Sequence, residues 1–359
     1  MKKTKEKKYG RLHHISVVLG ALVVLSGAFA LVLVIWSWHK NQSQTIQALS
    51  QTIETMYSEE DMQTMLAGAV EEARLETEAL TKEALLSDIK EQLASGKSTV
   101  SVLRPLYPNE LVVVSNSKYH FVPIRDDLAK HTLTEENLVL SEDNELTYME
   151  ADAVVSQKGI DVSKYQDTID WQKVKADGVD YAFIRVGLRG YKTGEIVLDD
   201  KFEDNIQGAY RAGVKVGVYF FSQAITTEEA VEEAEFVLEQ IEPYAGVVEY
   251  PIVFDVEKVA AENGRMNLLT KEERTQVTQA FCDRIAEAGY TPMIYGNLEM
   301  FGVLIDLEPL EKYEKWYANY SPSLYYPYDF KIWQYTSEGS VDGIKGDVDM
   351  NISFKTWGN

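Results

Sequence analysis

The stretch PIVFDVE, residues 251–257, decides the fold of the second half of the chain. Four apolar positions lead into Asp255 and Glu257, and the two-residue period of a strand puts both acids on the same face. A buried carboxylate without a partner destabilises a fold or changes its pKa. Two acids that face the same way at the end of an apolar strand therefore indicate a functional site.

Similar apolar runs of strand length lie on both sides of this stretch, and amphipathic helices follow several of them. The predicted strands are Gly159–Ser163, Tyr181–Val186, Val214–Phe220, Pro251–Glu257, Thr291–Tyr295, Lys315–Tyr320, Phe330–Tyr335 and Gly346–Met350. The predicted helices are 169–177, 202–212, 227–241, 271–288 and a shorter one at 298–304. This alternation predicts an α/β fold, a TIM-like parallel barrel with incomplete helices late in the chain, (β/α)5(β)3.

Active-site residues of such barrels lie at the C-terminal ends of the strands. Two further acids are predicted there, Asp161 in GIDVSKYQ and Asp349 in DVDMN. Taken singly, Asp161 could cap a loop and Asp349 could bond to the backbone of a turn. Four acids at the same end of different strands favour catalysis over both of these structural roles.

Aromatic residues are predicted at the same rim, and each of them alone would be typical of a core. Together they could offer flat apolar faces for sugar rings beside the acids. The predicted substrate-binding residues are Tyr219, Tyr295, Trp316, Trp333, Tyr335 and Arg185.

Composition excludes several other kinds of site. The chain has 35 Lys and Arg against 57 Asp and Glu, a net charge of −22, which disfavours nucleic acid as a partner. Cys282 is the single cysteine, so neither an intramolecular disulfide nor a cysteine-rich metal site can form. All five histidines precede the predicted barrel, and we expect no metal and no cofactor there.

The N-terminus predicts a membrane anchor. Residues 1–14 contain six basic residues and one acid, and residues 15–36 contain no charge. A helix over that uncharged range would be about 33 Å long, close to the roughly 30 Å of a bilayer core. A cleaved signal peptide ending near Ala28-Phe29-Ala30 is the alternative, but the apolar run continues beyond that point. We therefore expect a single-pass protein with residues 1–14 in the cytoplasm and the remainder outside the cell membrane.

Two segments separate this anchor from the barrel. Residues 41–97 combine good helix formers with apolar spacings of three and four, and predict a helical stalk that Gly96 ends. Its narrow apolar seam is compatible with a solvated single helix or with a coiled-coil homodimer. Residues 99–156 predict a small β-rich module with a hairpin around Ser115-Asn116-Ser117, packed on the domain at 157–359 because its own core would be marginal.

The barrel sequence resembles a known family. The strings GIDVSKYQ, IDW, YAFIRVG, AGVKVGVYFFSQA, PIVFDVE, GYTPMIYGN, WYANY and IWQYTSEGSVDGIKGDVDMN occur in this order. Together they closely resemble glycoside hydrolase family 25, the Chalaropsis-type lysozymes, over about residues 157–357. One departure is that members often have Tyr-His-Phe where this chain has Tyr219-Phe220-Phe221.

The resemblance implies an N-acetylmuramidase that cuts the β-1,4 bond between N-acetylmuramic acid and N-acetylglucosamine, with its acidic cluster at Asp161, Asp255, Glu257 and Asp349. Glycoside cleavage needs an acid for the leaving oxygen and a group that stabilises the oxocarbenium-like transition state. Glu257 is the predicted general acid, and Asp255 the charge that raises its pKa.

Two catalytic routes stay open at this point. In one, the 2-acetamido group of the substrate attacks and Asp255 stabilises an oxazolinium-like intermediate. In the other, Asp349 or Asp161 handles the water or acts as the nucleophile. We favour the first, because acids two residues apart on a strand suit an acid and an acetamido-orienting partner.

The leading hypothesis is a membrane-anchored muramidase that acts on peptidoglycan strands in a Gram-positive-type cell wall, for remodelling or local wall opening. A catalytically inactive peptidoglycan-binding scaffold is the first alternative, which retention of all four acids disfavours. A metal-dependent hydrolase such as a polysaccharide deacetylase is the second, which the lack of histidine in the barrel disfavours.

Overall fold

The computed structural model describes residues 59–260 and 264–358. The chain divides into two compact units, one ending at Ser95 and one beginning at Gly96. The predicted cytoplasmic segment 1–14, the predicted membrane helix 15–36 and residues 41–58 of the predicted stalk lie outside the described residues. Within the described ranges, no helix combines the length and apolar character needed to span a membrane.

The described residues of the first unit form a long helix, α1 (Glu59–Ala94), of 36 residues. At 1.5 Å per residue it is about 54 Å long. Ion pairs within the helix join Arg74 to Glu71 and to Glu78, at 2.5 and 2.6 Å. Gly96 follows with a φ of +89°, a left-handed conformation that suits glycine after a helix end. Residues 59–94 are thus helical, and their role as a stalk or dimer seam stays a prediction.

A short helix and two small sheets precede the barrel within the second unit. Their bounds are α2 (Thr99–Leu103), β1 (Glu110–Ser115), β2 (Lys118–Pro123), β3 (Leu138–Leu140), β4 (Leu146–Glu150) and β5 (Ala153–Val154). The hairpin β1–β2 is the one expected from the sequence, and its turn residues Asn116 and Ser117 have φ values of 49° and 60°. Two left-handed residues are typical of a two-residue hairpin turn.

These elements are part of the same compact unit as the barrel. The backbone N–H of Val112 donates to the Tyr325 hydroxyl at 2.7 Å, and that of Arg125 donates to the Tyr328 hydroxyl at 2.9 Å. The 99–156 segment is therefore packed on its neighbour, as its small size predicts.

The barrel strands and the helices between them follow in chain order. The strands are β6 (Gln157–Val162), β7 (Tyr181–Arg189), β8 (Ile196–Leu198), β9 (Lys215–Phe221), β10 (Val248–Asp255), β11 (Pro292–Asn297), β12 (Glu314–Ala318), β13 (Ile332–Gly339) and β14 (Val348–Ser353). The helices are α3 (Trp171–Ala176), α4 (Phe202–Ala212), α5 (Thr227–Ile241), α6 (Lys271–Glu287) and a π-helix at Met300–Leu304. Pairing of β6 with β7 and with β14 closes an eight-stranded barrel, and β8 adds to β7 outside it.

Each of the eight predicted strands overlaps a barrel strand, so the predicted α/β barrel is confirmed. One feature of the prediction was wrong, because β14 runs antiparallel to both β13 and β6. Only residues 340–347 join β13 to β14, and a parallel return needs a crossover of about a dozen residues or more. The reversal brings the beginning of β14, with Asp349, to the edge where the other strands end.

The barrel interior is filled by aromatic rings below this edge. Tyr181 stacks on Tyr250 with ring centroids 4.6 Å apart, and Phe183 stacks on Trp316 at 4.6 Å. A Cβ at Gly159 would collide with the Tyr181 ring, so glycine on β6 makes room for it. Because alternate residues of a strand share a face, Arg185 lies on the same face of β7 as Tyr181 and Phe183, nearer to this edge.

Candidate active site

The structure brings the four predicted acids together at one edge of the barrel. Asp255 ends β10 and Glu257 follows it by two residues. Asp161 on β6 is the direct cross-strand partner of Asp349 on β14. The charges of Glu257, Asp161 and Asp349 all raise the pKa of Asp255, which requires that the four carboxyl groups lie near one another.

Asp161 is held by two side-chain amides. Its Oδ2 accepts from Gln334 Nε2 and from Asn351 Nδ2, both at 2.8 Å. Burial, and then the charge of Asp349, raise the pKa of Asp161 well above its usual range, while the two amide hydrogen bonds act in the opposite direction. The carboxyl group is thus fixed in position by donors on β13 and β14.

The orientation of both amides follows from their other partners. Trp316 Nε1 donates to Asn351 Oδ1 at 2.8 Å, and an indole N–H cannot accept. The hydroxyls of Tyr295 and Tyr320 donate to Gln334 Oε1 at 2.8 and 2.9 Å. The indole thus requires Asn351 to turn its NH₂ group towards Asp161, and Gln334, whose oxygen accepts from the two hydroxyls, also turns its NH₂ group towards Asp161.

Gln334 and Asn351 were not among the predicted site residues. Both are buried polar residues at inward-facing strand positions, in the strings IWQYT and DVDMN. A polar side chain at such a position was the available signal, because a buried amide needs a partner.

Asp255 is buried and has an oxygen, Oδ1, with no hydrogen-bond partner among the described residues. Burial, and then the charge of Glu257, raise its pKa well above the usual range, and Arg185 acts in the opposite direction. A buried carboxyl oxygen without a donor favours the protonated acid or a donor supplied by a ligand.

Glu257 combines partial burial with access to a cleft. Burial, and then the charge of Asp349, raise the pKa of Glu257 to about 7. Burial raises the pKa of Asp349 to about 6. The charge of Glu257 in turn raises the pKa of Asp255, and the predicted role of Asp255 in raising the pKa of Glu257 stays a prediction.

The cleft beside Glu257 has a volume of about 560 Å³, within the usual range of ligand sites. Barrel residues that line it are Glu257, Tyr295, Asn297, Leu298, Glu299, Ala318, Asn319 and Tyr320. Residues from the preceding segment that line it are Val100, Arg104, Val113 and Val114. Tyr320 is 56% exposed in this cleft.

The predicted aromatic residues have different environments. Tyr295 lines the cleft, and Tyr219 is partly buried with its ring edge-on to Trp316 at 6.4 Å. Trp316 is 2% exposed, and Trp333 is 0% exposed and donates its indole N–H to the Asn319 carbonyl at 2.7 Å. Because the side chains of Trp316 and Trp333 are buried, the structure does not support a role for either of them as a stacking face for a sugar ring. Tyr335 is likewise buried, in the core outside the barrel interior.

Arg185 is committed to a protein partner. Its Nε donates to Asp199 Oδ2 at 2.7 Å, and the Asp199 side chain is completely buried. Its guanidinium lies 5.2 Å from the centre of the Tyr165 ring. Arg185 therefore acts on the acids through its charge, and direct contact with substrate stays a prediction.

The arrangement suits acid catalysis by carboxyl groups. Among the residues that the structure describes, no three His, Cys, Asp or Glu side chains are placed to hold a metal ion together. A closed α/β barrel with a glutamic acid of raised pKa beside other carboxyl groups is typical of a glycoside hydrolase. The chain belongs to glycosyl hydrolases family 25, whose family profile matches residues 160–344.

Individual relatives share the barrel region. The chain is 30% identical over 204 residues to the uncharacterized protein YegX of Escherichia coli K12, covering 54% of this chain and 68% of YegX. It is 28% identical over 202 residues to lysozyme M1 of Streptomyces globisporus, and the match covers 54% of this chain and 66% of lysozyme M1. The chain is also similar to the modular autolysin LytC of Streptococcus pneumoniae, whose structure was solved with a synthetic peptidoglycan ligand. The two share 25% identity at a TM-score of 0.48, and the match covers 60% of this chain and 52% of LytC. This chain thus spans about half the length of that autolysin.

Proposed function

We propose that this chain is an N-acetylmuramidase that hydrolyses the β-1,4 bond between N-acetylmuramic acid and N-acetylglucosamine in peptidoglycan. The observation that carries the proposal is Glu257, a cleft-lining acid with a pKa of about 7 beside Asp349. Membership of the family and similarity to lysozyme M1 support the choice of substrate.

Each acid has a distinct role in this proposal. Glu257 donates its proton to the glycosidic oxygen as the bond to the leaving sugar breaks. Asp349 keeps Glu257 protonated near neutral pH. Asp255, with an unpartnered oxygen, orients the 2-acetamido group of the substrate and stabilises an oxazolinium-like intermediate. Asp161 is held by hydrogen bonds from the side-chain amides of Gln334 and Asn351, and it keeps a carboxyl group beside the bond that is cleaved.

The experiment that tests this function is mass analysis of the fragments that the full chain releases from purified peptidoglycan. Release of muropeptides with reducing N-acetylmuramic acid ends supports the proposal. Reducing N-acetylglucosamine ends would contradict it, and binding without any release would indicate the scaffold alternative. Trapping a covalent aspartyl–sugar adduct by mass spectrometry would replace the acetamido route with nucleophilic attack by an acid.

We also propose that residues 15–36 anchor the enzyme in the cell membrane, with the barrel in the wall. The uncharged length of this range and the basic residues before it support the proposal. Fractionation of cells that express the full chain should recover it with membranes, and protease added outside protoplasts should remove the barrel. Recovery in the culture medium would contradict the anchor. Cross-linking through cysteines placed on α1 tests the homodimer.

The pH dependence of hydrolysis provides a sharper test of Asp349. Because activity needs protonated Glu257, kcat/KM should fall as pH rises through about 7. Replacing Asp349 with asparagine removes a charge that raises the pKa of Glu257, so the alkaline limb should move to lower pH by roughly one unit.

Asp347→Asn is the matched control, because Asp347 is exposed and only two residues away. It should leave the alkaline limb where it is. An unchanged limb in Asp349→Asn would show that Asp349 does not raise the pKa of Glu257.

A further inference from the structure

One wall of the cleft comes from outside the family domain. The family match begins at residue 160, whereas Val100 and Arg104 belong to the α2 region and Val113 and Val114 to β1. Four residues that line the cleft together with Glu257 therefore belong to a segment that precedes the matched region. This set of four residues is called the N-terminal wall below.

The N-terminal wall is tied to the catalytic end of β10. Lys258, which directly follows Glu257, donates through Nζ to Asn116 Oδ1 in the hairpin turn and to Glu299 Oε1, both at 2.9 Å. Within β1, the N–H of Val112 donates to the Tyr325 hydroxyl, and that hydroxyl donates to the Glu110 carbonyl at 3.4 Å. The strand that carries Val113 and Val114 is thus held by barrel residues both at its beginning and at the turn that follows it.

The chemistry of the wall complements that of the opposite side. Val114 is 42% exposed and offers an apolar surface, while the Arg104 guanidinium lies 4.0 Å from the centre of the Tyr325 ring. On the barrel side, the polar residues Tyr320, Asn297 and Asn319 line the cleft. Among the residues that line the cleft, Arg104 is the cationic one, so it marks where an anionic substituent can approach.

We propose that the N-terminal wall binds the glycan beyond the cleaved bond and that Arg104 contacts a carboxylate carried by an N-acetylmuramic acid unit. The inference rests on the proposed muramidase function. Two carboxylates share this chemistry, the lactyl group of the sugar and the peptide stem attached to it. Arginine suits either, since its planar guanidinium can bind a carboxylate through two hydrogen bonds.

The test measures kcat and KM of the full chain on three substrates: soluble peptidoglycan fragments with peptide stems, the same glycan stripped of peptides, and stripped glycan whose lactyl carboxyls have been amidated. Arg104→Gln should raise KM about tenfold with kcat unchanged on carboxylate-bearing substrates, because a hydrogen bond to a charged group is lost. Arg104→Lys should recover part of the affinity.

The three substrates separate the two sources of the carboxylate. An effect on stripped glycan that disappears on amidation assigns the contact to the lactyl group, and an effect confined to whole fragments assigns it to the peptide. An equal rise on all three substrates, or no rise on any, would overturn the proposal. Arg211→Gln, at an exposed arginine on α4, is the matched control and should change nothing.

A second pair of variants tests the apolar part of the wall. Val114→Trp should obstruct the cleft and raise KM on all three substrates, whereas Val139→Trp should not. Val139 is 43% exposed on β3 and is not among the residues that line the cleft. If Val114→Trp and Val139→Trp change KM to the same extent, the N-terminal wall does not take part in binding the glycan. If the unmodified chain releases no reducing muramic acid ends, the proposed function itself fails, which is a different outcome.

Discussion

Replacing Glu257 with glutamine is expected to lower kcat on peptidoglycan about 10²–10⁴-fold, the usual contribution of a general acid. Glutamine keeps the size of the side chain but has no proton to give to the leaving oxygen. The group that it replaces has a pKa of about 7 and lines the cleft. The measurement is the rate of reducing-end release, with circular dichroism and thermal unfolding to verify that the fold is kept.

The loss should depend on the leaving group. An aryl glycoside of the same sugar with a strongly acidic phenol needs little protonation, so Glu257→Gln should retain much more of its activity on that substrate. Glu299→Gln is the matched control, because Glu299 lines the same cleft and glutamine can still accept from Lys258. If Glu257→Gln and Glu299→Gln lose activity equally, or if Glu257→Gln keeps the wild-type rate, Glu257 is not the general acid.

The positions of the strands and the catalytic acids could be predicted because both depend on local pattern. An apolar run of strand length forms a strand wherever it is buried, and the two-residue period fixes which side chains share a face. That reasoning placed Asp255 and Glu257 together. The direction of β14 depends instead on the length of its connection, which the assumption of a wholly parallel barrel ignored.

The same two-residue period could have corrected part of the predicted binding set. Gln334 points into the barrel towards Asp161, so its neighbours Trp333 and Tyr335 on β13 must point outwards, into the surrounding core. The N-terminal wall could not have been predicted in this way. Its contact with the cleft depends on where Lys258 and Tyr325 hold the hairpin, and no local pattern records such a tertiary contact.

Asp255→Asn is expected to lower kcat at least about 100-fold and, in the same protein, to raise thermal stability. Burial and the charge of Glu257 hold the pKa of Asp255 well above its usual range, and its Oδ1 has no partner among the described residues. The pKa of this carboxyl group is higher in the folded protein than in the unfolded protein, where it is about 4. As the pH rises above about 4, the unfolded protein loses this proton more readily than the folded protein does, so the folded state becomes less stable relative to the unfolded state. Asparagine stays neutral at every pH and removes this cost.

The gain in the melting temperature should therefore be present at pH 7–8, at roughly 2–8 °C, and should shrink towards pH 4 as the carboxyl becomes protonated in both states. Differential scanning calorimetry at several pH values measures it. Asp199→Asn is the control with the opposite expectation, because Asp199 is equally buried but pairs with Arg185. Breaking that pair leaves a buried cation, at a cost of about 3–5 kcal/mol. If Asp255→Asn also lowered the melting temperature at pH 8, Asp255 would be a structural residue, and its loss of activity would say nothing about catalysis.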